Sequence, residues 1–143
     1  LGPAAPMEVS EGLLAAARAD DPVAYELISG WSTSYGKQLG GNAVPGMWLV
    51  GNDLRLMQRT RPGVLHTDLS ACNAWRGALD AAASVRCPVL AILAARDLMT
   101  PRRAAQPLVD ALADVRTVTL PDCGHAMMSE QPDAVLDALR SFL

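Results

Sequence analysis

The fold is decided by Cys87–Pro101, which reads CPVLAILAARDLMTP. Its first nine residues form a continuous apolar run, which is the pattern of a strand buried in a parallel sheet. Thr100 followed by Pro101 indicates a helix start, because threonine caps free N–H groups and proline fits the first turn. A second short strand, VRTVTLP at 115–121, follows that helix. We therefore predict a strand–helix–strand crossover in a parallel sheet and an α/β fold class.

The chain changes character near Arg86. Before this residue the pattern is helical and irregular, and after it strands alternate with helices. The final segment, 132–143, begins with a proline and places four apolar residues on one predicted buried helix face. Those four residues are Val135, Leu136, Leu139 and Leu143. The helices expected before Arg86 are 11–19 after a cap at Ser10, 22–29 between Asp21 and Gly30, 47–60 and 69–83, with a glycine-rich loop at 36–46.

Composition narrows the possible functions. The 143 residues are enough for one domain, and with 50% hydrophobic and 19% charged residues the chain is apolar for its size. A net charge of −3 and only 4% aromatic residues argue against nucleic acid as a partner. No apolar run approaches the ~18 residues of a membrane span. The opening LGPAAPM lacks a basic segment, so it does not predict a signal peptide and is typical of a strand end entering a loop.

Cysteine usage points to the cytoplasm and gives no metal site. The three cysteines, Cys72, Cys87 and Cys123, are far apart and form no Cys-x-x-Cys or Cys/His cluster. Reduced thiols in a cytoplasmic protein are the simplest interpretation.

Two polar residues follow the two predicted strands. Asp97 comes after the first strand and His125 after the second, 28 residues later. Parallel strands bring such loops to one edge of the sheet, where α/β proteins place their ligand sites. Asp97 is therefore expected to accept a hydrogen bond from the Nδ1–H group of His125 and so fix its tautomer. Taken singly, each residue is more often structural, and a solitary α/β domain with a structural pair remains an alternative.

These segments resemble a known family. RCPVLAILAARDLMTP and VTLPDCGHAMMSEQPDAVLDALRSFL are similar to the last two strands of an α/β-hydrolase, a fold whose catalytic residues come in the order Ser, Asp or Glu, His. The resemblance implies that Asp97 is the triad acid and His125 the triad base. It also implies that 86–143 is the C-terminal core segment. Residues 1–85 then correspond to the helical cap, with 1–7 as the tail of a preceding strand.

The stretch GWSTSYG, Gly30–Gly36, comes within one residue of the nucleophile motif Gly-x-Ser-x-Gly. Ser32, however, follows a predicted helix and not a strand, so we expect it to lie in a helix-terminal turn. The resemblance then implies that the nucleophile and both oxyanion-hole donors lie upstream of Leu1, and that this fragment alone is inactive. The chain is expected to pair with that missing N-terminal half or with another copy of itself. The other histidine, His66, lies in no recognisable motif and is expected to be structural.

The leading hypothesis is a serine esterase or lipase-like hydrolase of small apolar esters that needs no cofactor. Dehalogenases with an aspartate nucleophile, haloperoxidases without a cofactor and C–C bond hydrolases share the fold and stay open as alternatives. So does a non-catalytic fragment or binding module. Five large side chains are candidates for an apolar substrate pocket, although core packing would also explain them. They are Trp31, Met47, Trp48, Met57 and Met127.

Overall fold

The computed structural model describes residues 7–143. The expected tail of a preceding strand at 1–7 therefore lies, except for Met7, outside the described residues. Two regions follow one another along the chain, and we call residues 7–85 the helical region and residues 86–143 the α/β region. Within residues 7–143, no helix has both the length and the apolar character that crossing a bilayer requires.

The helical region packs around a core of its own. Its first helix begins after Ser10, whose hydroxyl accepts a hydrogen bond from the Leu13 N–H group at 3.3 Å. Leu13, Ala17 and Ala24 are almost free of solvent contact and form the centre of this core. The helices of the region are α1 (Glu11–Arg18), α2 (Val23–Ser32), α3 (Tyr35–Gln38), α4 (Leu49–Met57), α5 (Val64–Ala74) and α6 (Ala78–Ser84).

The end of α2 differs from the sequence prediction. Gly30 does not end α2, which continues until the Thr33 N–H group bonds the Ser29 carbonyl. A glycine usually stops a helix by adopting a positive φ, and among the described glycines only Gly40, Gly46 and Gly63 do so.

The single helix predicted over 69–83 is two helices. α5 begins earlier, at Val64, and the chain leaves the helix at Trp75. The Arg76 guanidinium bonds the free carbonyls of Asn73 and Trp75 at 2.7 and 3.0 Å and stabilises the break. The loop predicted at 36–46 also begins later, because α3 includes its first three residues.

The α/β region contains the predicted crossover. β1 (Val89–Ala94) and β2 (Val115–Leu120) pair in parallel, in a register that joins Val89 to Val115 and Ala94 to Leu120. α7 (Arg102–Ala111) connects them and includes Pro107 without being divided. The region ends with α8 (Met127–Glu130) and α9 (Pro132–Arg140). The predicted α/β fold class is confirmed.

The core of the α/β region is small. Its buried centre consists of Ala94, Leu120, Cys123 and Val135. Of the four residues predicted on the buried face of the last helix, only Val135 is buried. Leu136, Leu139 and Leu143 are exposed, because the described chain places too little apolar surface against that face. The region therefore presents more apolar surface to solvent than its sequence pattern predicts.

Candidate active site

The carboxyl ends of β1 and β2 carry the two candidate residues. Hydrogen bonds continue past the ends of the strands, from the Ala95 N–H group to the Leu120 carbonyl at 2.9 Å and from the Arg96 N–H group to the Cys123 carbonyl at 3.0 Å. These bonds hold the two strand-end loops side by side. They place Asp97 and His125 at one edge of the sheet, where the sequence predicts them.

Asp97 and His125 form a hydrogen-bonded pair. His125 Nδ1 lies 2.9 Å from Asp97 Oδ2. The other carboxylate oxygen, Oδ1, accepts hydrogen bonds from the backbone N–H groups of Met99 at 2.8 Å and Thr100 at 2.7 Å. The carboxylate is therefore fixed in orientation. The Asp97 side chain is 5% exposed and the His125 side chain 30% exposed, so the acid is buried and the imidazole reaches solvent.

These contacts keep Asp97 ionised. Burial by itself would raise the pKa of Asp97, but the hydrogen bond from His125 and those from the backbone of Thr100 and Met99 outweigh it, and the pKa lies below its ordinary value. Because an ionised carboxylate only accepts hydrogen bonds, Nδ1 of His125 must carry the proton. The Nε2 atom is then the basic nitrogen, available to a reacting group.

An apolar groove of about 700 Å³ opens beside this pair. β1, α7 and α9 line it from the α/β region, and α2 and α4 line it from the helical region. Asp97 and His125 both border the groove. A small molecule in it would therefore lie next to the imidazole.

The structure brings two of the five candidate pocket residues to this groove. Met57 and Met127 line it, one from each region. Trp31 instead packs against the core of the helical region. Met47 and Trp48 lie just before α4, with 39% and 62% of their surface exposed. The indole of Trp48 covers Gly51, where even a Cβ atom would lie only 2.1 Å from the ring.

Sequence reasoning missed a second acid at the groove. Asp53, on α4, lines it four residues before Met57. Burial raises the pKa of Asp53 above its ordinary value, and the charge of Glu130 adds to the rise. The i, i+4 spacing to Met57 is the signal that was available, because residues four apart share a helix face.

A third acid, Glu130, was also missed. Its side chain is completely buried and accepts hydrogen bonds from Ser34 and from the backbone N–H group of Gly124, which precedes His125. The sequence holds no local signal for this contact, because Ser34 and Glu130 are 96 residues apart.

The two remaining sequence candidates have structural surroundings. Ser32 is the last residue of α2 and so does not lie on a strand-to-helix turn. His66 shares its Nε2 atom between Arg18 and Ser70, each at 3.3 Å. Over residues 7–143, no three His, Cys, Asp or Glu side chains are grouped so that they could hold a metal ion.

Comparison with known proteins agrees with this geometry. The model of the Alpha/beta hydrolase family matches residues 1–138. The chain belongs to the α/β-hydrolase family. Its fold is similar to that of a thermophilic esterase, with a TM-score of 0.77, 22% identity and coverage of 100% of this chain and 54% of the esterase. It is also similar to the enol-lactonase of Burkholderia xenovorans LB400, with a TM-score of 0.72, 20% identity and coverage of 90% and 49%.

A curated relative of this α/β-hydrolase is BpoC of Mycobacterium tuberculosis, whose name assigns it provisionally as a non-heme bromoperoxidase. The two are 32% identical over 106 residues, which is 74% of this chain and 39% of BpoC. The chain thus spans about two fifths of this relative and about half of the solved structures that it resembles.

Proposed function

We propose that this α/β-hydrolase chain supplies the acid and the histidine of a catalytic triad that hydrolyses apolar esters. The observation that carries the proposal is the 2.9 Å bond between His125 Nδ1 and the buried Asp97 carboxylate at the mouth of an apolar groove. The reacting serine and the oxyanion-hole donors come from a segment that precedes Leu1 in the complete gene product. Residues 1–85 serve as its cap.

The bond between Asp97 and His125 supports the orienting and base roles that acyl transfer needs. Asp97 orients the imidazole and stabilises the imidazolium that forms during the reaction. His125 Nε2 takes the proton of the serine hydroxyl as the oxygen attacks the ester carbonyl, and then gives that proton to the leaving alcohol. In the second half of the cycle, His125 activates a water molecule in the same way and the acyl group leaves as a carboxylic acid.

The walls of the groove support an apolar acyl or alkyl group as the substrate part bound here. Met57 and Met127 line the groove with flexible thioethers that adapt to different shapes, and Met127 lies two residues after His125. The steps proposed for Asp97 and His125 require no cofactor.

A bromoperoxidase is the second candidate, favoured by the 32% identity with BpoC. It would use the same His125 and Asp97. Oxidation of bromide by hydrogen peroxide in the presence of acetate, measured by bromination of monochlorodimedone, distinguishes it from an enzyme that only hydrolyses esters.

The test is hydrolysis of p-nitrophenyl butyrate by the complete gene product, meaning the whole protein that carries these 143 residues. We expect His125→Ala to lower kcat by at least about a thousandfold, because the general base is lost. His66→Ala is the matched control, since it removes the other histidine of the chain, and it should leave kcat within about twofold. Residues 1–143 alone should be inactive. A mild loss in His125→Ala, or turnover by the purified 143-residue chain, would overturn the proposal.

A further inference from the structure

The segment Ser32–Ser34 lies directly against the loop that carries His125. The Ala126 N–H group, which follows the histidine, donates a hydrogen bond to the Ser32 carbonyl at 2.9 Å. The segment belongs to the helical region, whereas the loop belongs to the α/β region. The candidate base is therefore held from the side of the cap by main-chain contacts.

Glu130 joins the same two pieces of chain on the other side of the histidine. Its Oε1 atom accepts hydrogen bonds from the Gly124 N–H group at 2.9 Å and from the Ser34 N–H group at 3.2 Å. Its Oε2 atom accepts the hydroxyl proton of Ser34. One carboxylate thus binds three donors while being 0% exposed.

The contact is too close for any residue but glycine at position 124. A Cβ atom there would lie 2.8 Å from the Ser32 carbonyl oxygen and 2.9 Å from the Ser34 nitrogen. Both are backbone atoms, which cannot move aside as the end of a flexible side chain would. Gly124 is therefore needed for this close approach.

We propose that Glu130 is a positioning residue for His125. It fixes Gly124 on one side of the histidine to Ser34, while the Ser32 carbonyl fixes Ala126 on the other side. The imidazole is then set by the cap segment as well as by Asp97. Its effect on catalysis rests on the function proposed above, whereas its effect on the orientation of the imidazole does not.

Glu130 supplies the acceptor that the N–H groups of Gly124 and Ser34 require. An apolar side chain would fill the same space but would leave these buried donors unpaired, which is costly. One donor belongs to the loop that carries His125 and the other two belong to Ser34. The Glu130 carboxylate therefore fixes the position of that loop against the cap segment. A displacement of about 1 Å at a catalytic group is enough to slow a reaction about a hundredfold.

The experiment uses the complete gene product in four forms beside the wild type. Glu130→Ala removes the acceptor, and Ser34→Ala removes one donor. Glu130→Gln is the conservative variant, because its amide oxygen keeps both backbone bonds and its NH₂ group donates to the Ser34 hydroxyl. Leu13→Ala is the control for lost stability, since Leu13 lies in the separate core of the helical region. Two readouts are taken: the NMR resonance of the His125 Nδ1 proton, and kcat and KM on p-nitrophenyl butyrate.

We expect Glu130→Ala to shift or broaden the Nδ1 proton resonance and to lower kcat about ten- to a hundredfold, with KM changed less than threefold. Ser34→Ala should give a smaller change of the same kind, and Glu130→Gln should stay within about threefold of the wild type. Leu13→Ala should lower the melting temperature and leave the resonance in place.

The proposal is overturned if Glu130→Ala keeps the wild-type resonance and kcat, or if Leu13→Ala changes both as much as Glu130→Ala does. If Glu130→Ala does not fold, Ser34→Ala and Glu130→Gln decide. A Ser34→Ala variant with wild-type resonance and kcat, or a Glu130→Gln variant that loses both, contradicts the proposal. A wild type without esterase activity defeats the proposed function, and the NMR readout still decides the role of Glu130.

Discussion

The helical region surrounds its core with its own helices, whereas the α/β region covers its two-stranded sheet only in part. Leu13, Ala17 and Ala24 have at most 4% of their surface exposed, and neighbours from α2 and α5 cover them. In β1, by contrast, only Ala94 is buried, and its other residues are partly exposed along the groove.

The closed core and the candidate catalytic pair therefore lie in different regions of the chain. The region that closes its own core carries no member of the Asp97–His125 pair, and the region that carries the pair is the one that lacks cover. Each large apolar side chain left in water forgoes about 1.5–3 kcal/mol, against a net stability of about 5–15 kcal/mol for a typical domain. Added chain along β1 would therefore stabilise the α/β region, and the following predictions test how the two cores differ.

The largest effect is expected from Asp97→Asn in the complete gene product. The N–H groups of Met99 and Thr100 would hold the amide oxygen, so the NH₂ group would face His125 and force Nδ1 to accept. Nε2 would then carry the proton and lose its basic lone pair, which lowers kcat about ten-thousandfold in a triad. Asp68→Asn, on the exposed side of the helical region, is the control and should be neutral. A loss below tenfold in Asp97→Asn would show that the pair is structural.

The two cores should respond differently to truncation. In the 143-residue chain we expect Leu13→Ala to cost about 2–5 kcal/mol of unfolding free energy, because a closed core is left with a cavity. Val135→Ala should cost only about 1–2 kcal/mol, because it deletes fewer methyl groups and Val135 borders the open groove. Urea unfolding followed by circular dichroism measures both. Equal costs, or a larger cost at Val135, would mean that the α/β core is as closed as the helical one.

The open face should also cause association. We expect the 15.1 kDa chain to form dimers or larger species at micromolar concentration, and light scattering will detect them. Leu139→Glu, in the groove, should weaken association about ten- to a hundredfold, because one apolar contact is lost. Leu79→Glu is matched in residue type and exposure, 42% against 43%, but lies in the helical region and should change little. A monodisperse monomer with a cooperative melt would contradict the contrast between the regions.

The smallest effect concerns pH, and it has opposite signs on the two sides of the groove. The folded pKa of Asp97 is lowered, so its carboxylate contributes stability above the unfolded pKa near 3.8, and this contribution is lost as the pH falls through the folded pKa. The folded pKa of Asp53 is raised, so its ionisation destabilises the fold as the pH rises through that value.

These signs are measured as unfolding free energy between pH 2.5 and 7. Asp97→Asn should destabilise the chain at pH 7 and lose its effect in acid. Asp53→Asn should stabilise it at pH 7 and likewise lose its effect in acid. The same sign for both variants at pH 7 would show that the direction of one of the two pKa shifts is wrong.

The sequence was most informative where a single local pattern determines the structure. An unbroken apolar run, a proline at the helix start and a second strand were enough to predict β1, α7 and β2. Thr100, however, does not cap α7, whose N-cap position is Pro101. The rule that ligand sites lie at strand ends then brought Asp97 and His125 together. Both residues lie within five positions of the end of a strand. The position of each strand therefore largely determines the position of the residue that follows it.

Sequence reasoning was weaker where contacts between distant residues determine the outcome. α2 continues past Gly30 to Ser32, whose carbonyl accepts a hydrogen bond from the Ala126 N–H group 94 residues later. Glu130 gains its partners from Ser34, and the exposure of Leu136 and Leu139 depends on which other chain surrounds them. Such features depend on tertiary packing, which cannot be read from composition or from periodicity.

The strand register has a consequence for how this sequence can change through evolution. Ala94 is paired with Leu120, and Asp97 and His125 follow at three and five residues. Inserting or deleting one residue in either short connection would displace one member of the pair by about 3.3 Å relative to the other, which is more than their hydrogen bond spans. No hydrogen-bonded pair of this kind fixes the length of the exposed loop at 39–48. Homologues are therefore expected to vary in length there and to keep both strand-end connections constant.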